Sequence, residues 1–272
     1  MWNALLRSGI EKEIMINALF TSATGMRAQQ FNVDTIANNL ANVNTTGFKK
    51  ARVEFQDLLY QTLRTPGVQS TQQTIVPVGI QLGHGVRTGA TQRMFSLGNV
   101  VETKNVFDLK LDSPYSFFKV VDDKQNLIYT RDGSFKLDDQ FRIVTTDGHV
   151  LDPSINIPED AADVSIGPDG TVSVRSDGQE EPQQVGQIQI FRFPNPAGLQ
   201  SLGANFYRQT AASGEATEDQ FGTLTSGFLE ISNVEVVEEM VRLITAQRAY
   251  EANSRAILAS DDMLSTANQI RR

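Results

Sequence analysis

Cysteine is absent from the 272-residue sequence, and histidine occurs only twice. The absence of cysteine excludes disulfide bonds, thiolate metal sites and a cysteine nucleophile. Each histidine, His84 and His149, lies beside a glycine in a predicted turn, and neither has a second ligand at a spacing typical of metal sites. We therefore expect the protein to hold no metal ion and no other cofactor.

Positive charge is scarcer than negative charge, and long apolar runs are missing. The formal net charge is -8 and the sequence pI is about 4.9, whereas proteins that bind nucleic acid carry a basic patch. No stretch approaches the roughly 20 apolar residues of a membrane-spanning helix. The composition therefore predicts no nucleic-acid partner and no transmembrane helix.

The N-terminus is a poor secretory signal. Residues 1–14 have a short apolar patch followed by acidic residues, without a proper h-region or an A-x-A cleavage site. If the protein leaves the cytoplasm, it uses another export route. Helical periodicity begins near Met15, and the preceding Glu11, Lys12 and Glu13 are encodable by purine-rich codons that resemble a ribosome-binding site. We interpret residues 1–14 as a mis-assigned start, with a genuine short extension as the alternative.

Familiar catalytic motifs are also lacking. The sequence contains no G-x-S-x-G, P-loop or H-E-x-x-H pattern. Adjacent acidic residues occur next to turns or on a helix, where carboxylates usually face solvent: Asp122 with Asp123, Asp138 with Asp139, Glu180 with Glu181, and Asp261 with Asp262. The sequence therefore predicts no enzymatic activity and no small-molecule substrate.

Two apolar stripes that repeat every seven residues lie at opposite ends of the chain. They consist of Leu19, Met26, Val33 and Leu40 near the N-terminus, and of Val236, Leu243, Tyr250, Ile257 and Leu264 near the C-terminus. A seven-residue repeat places one seam along a helix, and such a helix is stable when the seam packs against another helix. The pattern predicts helices over residues 16–41 and 233–270, the second capped by Ser232 or Asn233.

The C-terminal helix has a weakly apolar second seam position. Gln247, Ser254, Asp261 and Asn268 follow Met240 at that position. We therefore expect this helix to make a poor stand-alone dimer and to gain stability within a larger group of helices. The alternative is that both helices pack on each other and on the rest of a monomer.

The middle of the chain has the pattern of strands and turns. From about residue 86 to residue 221, short β-branched and aromatic runs alternate with Asp-Gly and Pro-rich breaks, which is typical of an antiparallel β domain. Residues 60–77 are rich in Gln, Thr and Ser and are expected to be extended or hairpin-like. Residues 49–63 mix aromatic and charged residues and are expected to be partly helical.

The predicted fold class is α+β, with long N- and C-terminal helices forming a coiled-coil layer and an inserted antiparallel all-β domain. The expected segments are the possible mis-assigned start over residues 1–14, an N-terminal coiled-coil helix over 15–47 that pairs with 228–272, an extended segment over 48–85, a β-rich outer domain over 86–227 and a C-terminal coiled-coil helix over 228–272.

Two signatures at the chain ends resemble those of flagellar basal-body rod and hook proteins. The first covers residues 36–49, and the second combines residues 232–234, 239–241 and 246–254. Both are long and specific, and the likeness covers essentially all of residues 15–272. The signature residues carried over are Asn38, Asn39, Asn42, Asn44, Gly47, Phe48, Ser232, Asn233, Gln247, Arg248 and Tyr250. The four asparagines are candidates for helix register and turn formation.

Within this family, residues 55–62 and the Gln/Ser/Thr-rich run after them resemble a segment typical of distal rod subunits. Its marker residues here are Tyr60, Pro66, Gly67 and Pro77. The resemblance implies that residues 60–77 brace neighbouring subunits and keep the rod straight. Residues 111–118 depart from the pattern, because relatives usually have glycines just before the paired aromatics; the departure concerns the local turn and not the family.

The resemblance implies a structural subunit that self-assembles into the straight, rigid distal rod, the drive shaft between motor and hook. Its partners would be copies of itself in a helical tube, the neighbouring proximal rod, hook and ring proteins, and the flagellar type III export apparatus. The location would be the basal body in the periplasm, reached without a cleavable signal peptide. Before assembly the terminal segments are expected to be largely disordered, because a lone seam does not offset its ordering entropy.

Three alternatives stay open on the sequence. A sibling proximal-rod or hook-type axial protein would differ in residues 60–77. A muramidase that cuts peptidoglycan would be active in a zymogram. An adhesin-like binding module would be a stable monomer with ordered ends, which hydrogen exchange on the monomer would detect.

Overall fold

The computed structural model describes residues 2–67, 69–71, 74–75, 77–122, 124–176, 182–220 and 222–270. The chain divides into two compact units. The helical unit comprises Met1–Asn38, Ala51–Gln92 and Val237–Arg272, and the β unit comprises Asn39–Lys50 and Arg93–Val236. Both ends of the chain therefore belong to the same unit.

The helical unit combines two long helices with short ribbons. Its elements are α1 (Trp2–Ala41), β1 (Ala51–Asp57), β2 (Tyr60–Arg64), β3 (Gln69–Thr71), β4 (Thr74–Ile75), β5 (Ile80–Gly83), β6 (Val86–Arg93) and α2 (Val236–Ile270). β1 pairs with β6, β2 with β5, and β3 with β4.

The two ends of α1 differ in how closely they follow the sequence pattern. The helix ends at Ala41, as predicted, where a run of turn-forming residues begins. It starts at Trp2, so the helix continues through residues 2–14, ahead of the expected start at Ile16. The interpretation of residues 1–14 as a mis-assigned start stays a prediction.

The predicted start of the C-terminal helix at Asn233 is wrong, because α2 begins at Val236. The Asn233 side chain is engaged within the β unit and does not cap the helix. Its Nδ2 donates to the Met94 carbonyl at 2.7 Å, and its Oδ1 accepts from the Lys50 N–H, also at 2.7 Å. These bonds hold the backbone before α2 in a non-helical conformation.

Residues 49–63 are not helical, contrary to the expectation, because they form β1 and β2. In β1, buried Val53 lies between exposed Arg52 and Glu54, which is the two-residue alternation of a strand. Farther on, β2 pairs antiparallel with β5, and β3 pairs antiparallel with β4. The β3–β4 ribbon lies between β2 and β5 in the sequence. The hairpin-like expectation for residues 60–77 is confirmed.

The β unit contains sixteen strands within the described residues. They are β7 (Val100–Glu102), β8 (Leu109–Leu111), β9 (Ser116–Val121), β10 (Leu127–Thr130), β11 (Lys136–Leu137), β12 (Ile143–Val144), β13 (Val150–Leu151), β14 (Ala161–Ile166), β15 (Thr171–Ser176), β16 (Gln183–Gln187), β17 (Ile190–Arg192), β18 (Gln200–Gly203), β19 (Phe206–Arg208), β20 (Thr217–Glu218), β21 (Leu224–Ser226) and β22 (Phe228–Glu230).

Most of these strands join one nine-stranded sheet. Its main path is β11-β12-β13-β9-β10-β19-β18, and β17 pairs with both β9 and β20. A separate three-stranded sheet has the order β14-β15-β16, while β8 pairs with β21 and β7 with β22. These pairs are antiparallel, which confirms the antiparallel β region predicted for the middle of the chain.

The core of the β unit has an aliphatic and an aromatic cluster. The aromatic cluster consists of Phe95, Phe117, Tyr129, Phe191, Phe193 and Tyr207. Its rings meet edge to face; Tyr129 and Phe193, for example, have centroids 4.8 Å apart at 87°. Each fully buried large apolar side chain contributes about 1.5–3 kcal/mol relative to exposure. The β unit thus has a core of its own.

The α+β class is confirmed by two terminal helices and a β-rich middle. The coiled-coil layer stays a prediction. Among the helices of the described residues, none is long and apolar enough to cross a membrane.

Candidate functional site

In the helical unit, α1 and α2 pack against each other in opposite directions. Gly25 of α1 faces Asn253 of α2 so closely that a Cβ on Gly25 would lie 2.9 Å from the Asn253 Nδ2 atom. Farther along α1, Ile36 lines a cavity of about 220 Å³ together with Arg242 of α2. Residue numbers thus rise along α1 as they fall along α2, and the pair is antiparallel.

The side chains that this helix pair buries most deeply are mainly small or polar. They are Ser22, Ala28 and Ile36 on α1, and Glu239, Ala246 and Ser260 on α2. Small side chains allow two helix axes to approach closely, as the contact at Gly25 requires. The larger apolar side chains consequently lie at the margin of the interface or outside it.

The predicted seam lies at that margin. Leu19, Met26, Val33, Leu40, Leu243, Ile257 and Leu264 are half-buried, whereas Val236 and Tyr250 are each 40 % exposed. On α2, the deeply buried positions follow the seam by three residues, as Ala246 follows Leu243. The second seam position predicted from the sequence comes four residues after the first, where Met240 is 49 % exposed.

Both helices expose large apolar side chains. These are Ile16, Phe20 and Phe31 on α1, and Val236, Val237, Met240, Val241, Ile244, Tyr250, Leu258 and Met263 on α2. Phe20 is 63 % exposed and Val237 is 70 % exposed. Large exposed apolar patches on a protein mark surfaces that bind another macromolecule. The helix pair therefore has the character of an interface.

The four marker residues of the predicted bracing segment all lie at the surface of the helical unit. Tyr60, in β2, is 55 % exposed, and its ring lies over Gly83, where a Cβ would be 3.2 Å from the ring. Pro66 and Gly67 form the turn after β2, and Pro77 lies in a bend after β4. The same ribbon exposes further apolar side chains, namely Leu59, Leu63, Val78 and Ile80.

The asparagines of the N-terminal signature occupy different environments. Asn38 and Asn44 are exposed, Asn39 is buried and Asn42 is half-buried. Asn42 forms the turn after α1, because its carbonyl accepts from the Thr45 N–H at 3.2 Å and its Oδ1 accepts from the Thr45 hydroxyl at 3.2 Å.

Gly47 occupies a position that only glycine fits well. Its φ is +66°, and a Cβ there would lie 2.7 Å from the backbone nitrogen of Asp132. Its N–H donates to the Glu230 carbonyl at 2.8 Å. Phe48, the next residue, is buried, and the Arg93 guanidinium lies over its ring at 5.5 Å.

A buried cluster of charges follows directly after this glycine. Lys49 Nζ donates to Glu230 Oε1 at 2.6 Å, and Arg131 Nη2 donates to Glu230 Oε2 at 2.9 Å. The Lys49 and Arg131 side chains are 0 % exposed and that of Glu230 is 3 % exposed. Lys49 lies in the segment after α1, Arg131 directly follows β10, and Glu230 is the last residue of β22.

The remaining polar atoms of this cluster are satisfied by backbone groups. Lys49 Nζ also donates to the Ser96 carbonyl at 2.7 Å, and the Gly98 N–H donates to Glu230 Oε1 at 2.8 Å. Arg131 Nη1 donates to three carbonyls, those of Ser113, Pro114 and Ser116, at 3.1, 2.8 and 2.7 Å. A buried ion pair stabilises a fold only when such bonds compensate its desolvation.

The charges also set each other's protonation. Burial lowers the pKa of Lys49 from 10.5 to about 8, and the Arg131 charge acts in the same direction. Burial by itself raises the pKa of Glu230, but Arg131 and Lys49 outweigh it and hold that pKa below its usual 4.5. The geometry therefore keeps Glu230 ionised as the shared anion of two cations.

The C-terminal signature is divided between the two units. In the β unit, Ser232 is buried and its hydroxyl accepts from the Val234 N–H at 3.3 Å, while Asn233 makes the bonds described above. On α2, Gln247 and Arg248 are exposed. The first part of the signature thus fixes the segment before α2, and the second part lies on the surface of the helix.

Lys49, Arg131 and Glu230 are functional-site residues for which the sequence alone predicted no role. Lys49 closes the N-terminal signature, Arg131 lies in a Thr-Arg-Asp-Gly run, and Glu230 comes just before Ser232. The signal in the sequence that could have indicated them is a charged residue inside or beside a signature of mostly small and apolar residues. Their contact depends on the fold, because they are far apart in the sequence.

No metal-binding group is present within the described ranges: no three or more His, Asp and Glu side chains are placed to hold an ion. The two functional features are thus the apolar surface of the helical unit and the hydrogen-bonded charge cluster of the β unit.

Three protein families match parts of the chain. Residues 19–49 match the family described as flagella basal body rod protein, and residues 115–174 match the D1 domain of flagellar hook protein FlgE/F/G. Residues 225–270 match the C-terminal domain of flagellar basal body rod FlgEFG protein.

Full-length relatives carry related names. The flagellar basal-body rod protein FlgG of Borreliella burgdorferi is 48 % identical over 95 % of this chain and 100 % of its own length. FlgG of Caulobacter vibrioides is 46 % identical over 94 % of this chain and 100 % of its own length. FlgG of Bacillus subtilis is 38 % identical over 95 % of this chain and 100 % of its own length.

Proposed function

Because the chain belongs to the flagellar basal-body rod protein family and is a structural subunit of the rod, we propose that copies of it assemble into the straight, rigid distal rod. In this role it transmits torque from the motor to the hook. The observation that carries the proposal is the exposed apolar surface of α1 and α2, which requires other molecules to cover it.

The helix pair would form the inner wall of a helical tube. The seam side chains, among them Leu19, Met26, Leu243 and Ile257, are half-buried in one copy and would be covered further by neighbouring copies. This packing would create the coiled-coil layer predicted from the seven-residue repeat. The β unit, with a core of its own, would form the outer layer.

The exposed ribbon would brace the tube. Leu59 is 86 % exposed and Val78 is 73 % exposed, so the ribbon has apolar side chains available for a neighbouring copy. A two-stranded ribbon alone is marginally stable in water. Contact with a second subunit would hold it in one conformation and resist bending of the rod.

The basal body supplies the other partners in this proposal. The subunit would contact the proximal rod, hook and ring proteins, and it would reach the periplasm through the flagellar type III export apparatus without a cleavable signal peptide. Before assembly the helices would be largely disordered, because their ordering entropy is offset only when neighbours cover their apolar sides. No catalytic role is proposed.

Electron microscopy of the purified full-length protein tests this function. We expect straight tubes at high protein concentration, and hydrogen exchange of the dilute protein should show rapid exchange in α1 and α2 with slow exchange in the β unit. A chain that stays monomeric at every concentration, with both helices protected, would contradict the proposal. A zymogram with peptidoglycan should show no clearing.

A further inference from the structure

Each helix of the helical unit has an exposed stripe on the side away from its partner. The outer stripe of α1 consists of Ile16, Phe20, Ala23, Arg27, Phe31 and Asp34. The outer stripe of α2 consists of Val237, Val241, Ile244, Arg248, Glu251, Arg255 and Leu258. Both stripes are apolar with charged residues among the apolar ones, and they differ from the half-buried seam.

The Gly25–Asn253 contact fixes which stripe residues are level with each other. Because α1 and α2 are antiparallel, Arg27, two residues after Gly25, is level with Glu251, two residues before Asn253. By the same counting, Phe20 is level with Leu258. A helix turns by about 100° per residue, so Arg27 and Glu251 each lie about 200° from the contact between the helices. They therefore point away from each other within one copy.

Neither of these two charges has a strong partner in its own molecule. Arg27 is exposed and makes no ion pair among the described residues. Glu251 meets only Arg255, at 4.0 Å, and both side chains are largely exposed. Such an exposed pair contributes little stability. Arg27 is therefore available to pair with another copy, and the weak contact with Arg255 leaves Glu251 available as well.

If a second copy is placed beside the first without a shift along the helix axes, α1 of one copy meets α2 of the next with the same register. Phe20 then faces Leu258, and Arg27 faces Glu251. Asp34 is level with Ile244 and lies about 6 Å along the axis from Arg248, slightly more than one helical turn. Phe20 thus meets an apolar residue and Arg27 meets an opposite charge, while Phe31 is level with Gln247 and Arg255 is level with Ala23.

The antiparallel orientation follows from the polarity of the tube. In a tube whose copies all point the same way, α1 of one copy runs antiparallel to α2 of the next, as it does within one copy.

We propose that neighbouring copies of this chain join laterally through the outer stripe of α1 and the outer stripe of α2, with an ion pair between Arg27 of one copy and Glu251 of the next. This inference rests on the proposed function and names a lateral contact between neighbouring copies within the wall of the tube. The two surfaces differ and lie on opposite sides of the helix pair, so the contact repeats instead of ending at a dimer.

Cysteine pairs test the register directly, because the chain has no cysteine of its own. The full-length Phe20→Cys/Leu258→Cys variant is polymerised and treated with a short bis-maleimide. We expect a ladder of dimers, trimers and larger species on a denaturing gel, since the two positions face apart within one copy. Phe20→Cys/Ile244→Cys is the matched control; its second cysteine lies about 21 Å away along α2, so it should stay monomeric on the gel.

Charge reversal provides a second measurement that does not depend on crosslinking. Arg27→Glu and Glu251→Arg should each raise the concentration needed for assembly by about tenfold or more, because like charges then meet at the contact. The combined Arg27→Glu/Glu251→Arg variant should return close to the wild-type concentration. Lys136→Glu, on exposed strand β11 of the β unit, is the control for charge alone and should assemble normally.

The outcomes separate this contact from the function on which it rests. Wild-type protein that never polymerises would contradict the proposed function. Tubes that form normally with Arg27→Glu, a double charge reversal that restores nothing, or a ladder from the Ile244 pair in place of the Leu258 pair would each overturn the lateral contact while leaving the function standing.

Discussion

Lys49 and Glu230 are 181 residues apart in the sequence, yet their side chains form a buried ion pair with Nζ 2.6 Å from Oε1. Lys49 belongs to the segment that follows α1, and Glu230 belongs to the segment that precedes α2. Arg131, at the end of a core strand, holds the other carboxylate oxygen. One carboxylate therefore joins three parts of the β unit that are far apart in the sequence.

Replacing Glu230 by glutamine should destabilise the β unit by about 3–5 kcal/mol, because two buried cations would lose their shared anion. The measurement is urea denaturation of the full-length protein, followed by the near-ultraviolet circular dichroism of the buried aromatic rings. Glu218→Gln, at an exposed strand position, is the control and should change the stability by less than about 0.5 kcal/mol. A similar stability for both variants would show that the cluster contributes nothing to the fold.

Acid should weaken the β unit through the same carboxylate. The pKa of Glu230 in the folded protein lies below its usual 4.5, so the unfolded chain binds more protons as the pH falls past that value. The stabilisation is therefore complete above about pH 4.5 and is lost as the pH drops through the folded pKa. Asp138 and Asp169 also have lowered pKa values. Both residues are present in the wild type and in the Glu230→Gln variant, so their contribution cancels when the two proteins are compared.

The free-energy difference between wild type and Glu230→Gln should therefore shrink as the pH falls below 4.5. Denaturation curves of both proteins at several pH values between neutral and acidic conditions measure this difference. A difference that stays constant across that range would show that Glu230 does not titrate with a lowered pKa.

Gly47 should be intolerant of any side chain. Its φ of +66° disfavours other residues, and a Cβ would meet the backbone of Arg131 and Asp132 at 2.8 and 2.7 Å. Gly47→Ala should therefore cost more than about 2 kcal/mol in the free energy of unfolding. Gly148, also in the β unit, provides the matched comparison, since its φ is +87° but no atom lies within 4 Å of a built Cβ. Gly148→Ala should cost only about 1 kcal/mol, and equal losses at both positions would contradict the steric argument.

The elements that follow from local pattern could be predicted from the sequence. The C-terminal end of α1 at Ala41 could be predicted because a run of turn-forming residues follows it. The antiparallel strands could be predicted from the short β-branched runs between Asp-Gly turns. The start of α2 could not be predicted, because Asn233, a good capping residue by type, bonds to Met94 and Lys50, which are distant in the sequence.

The face by which the two helices contact each other also could not be predicted from the sequence. A repeat of seven marks a stripe, but it does not say whether the second buried position follows after three residues or after four. The structure buries Ala246 and Ser260 at the three-residue positions, and the close approach at Gly25 explains why small side chains are needed there. Because Ala246 and Ser260 are small or polar, a search for apolar side chains does not identify them as contact residues.

Removing the ribbon should make the rod bend. The His84 N–H donates to the Leu59 carbonyl at 3.3 Å, so deletion of residues 60–83 joins two residues that are adjacent in the fold. We expect this variant to be exported and to assemble, but into curved, hook-like tubes, because the apolar bracing surface is gone. Electron microscopy of basal bodies from a strain that carries only this variant measures the curvature. An unchanged straight rod would rule out the bracing role.

Placing a charge in the seam should separate folding of the β unit from assembly. Leu243 is half-buried on α2 and would be covered further by neighbouring copies, so Leu243→Asp would bury a carboxylate without a partner. We expect the β unit to keep its denaturation midpoint, because it has its own core and does not include this residue, while incorporation into rods stops. Leu243→Met retains an apolar side chain of similar volume and should assemble as wild type does. Basal bodies purified from strains carrying each variant measure the incorporation; normal rods built from Leu243→Asp would mean that the seam of α2 is not a packing surface between subunits.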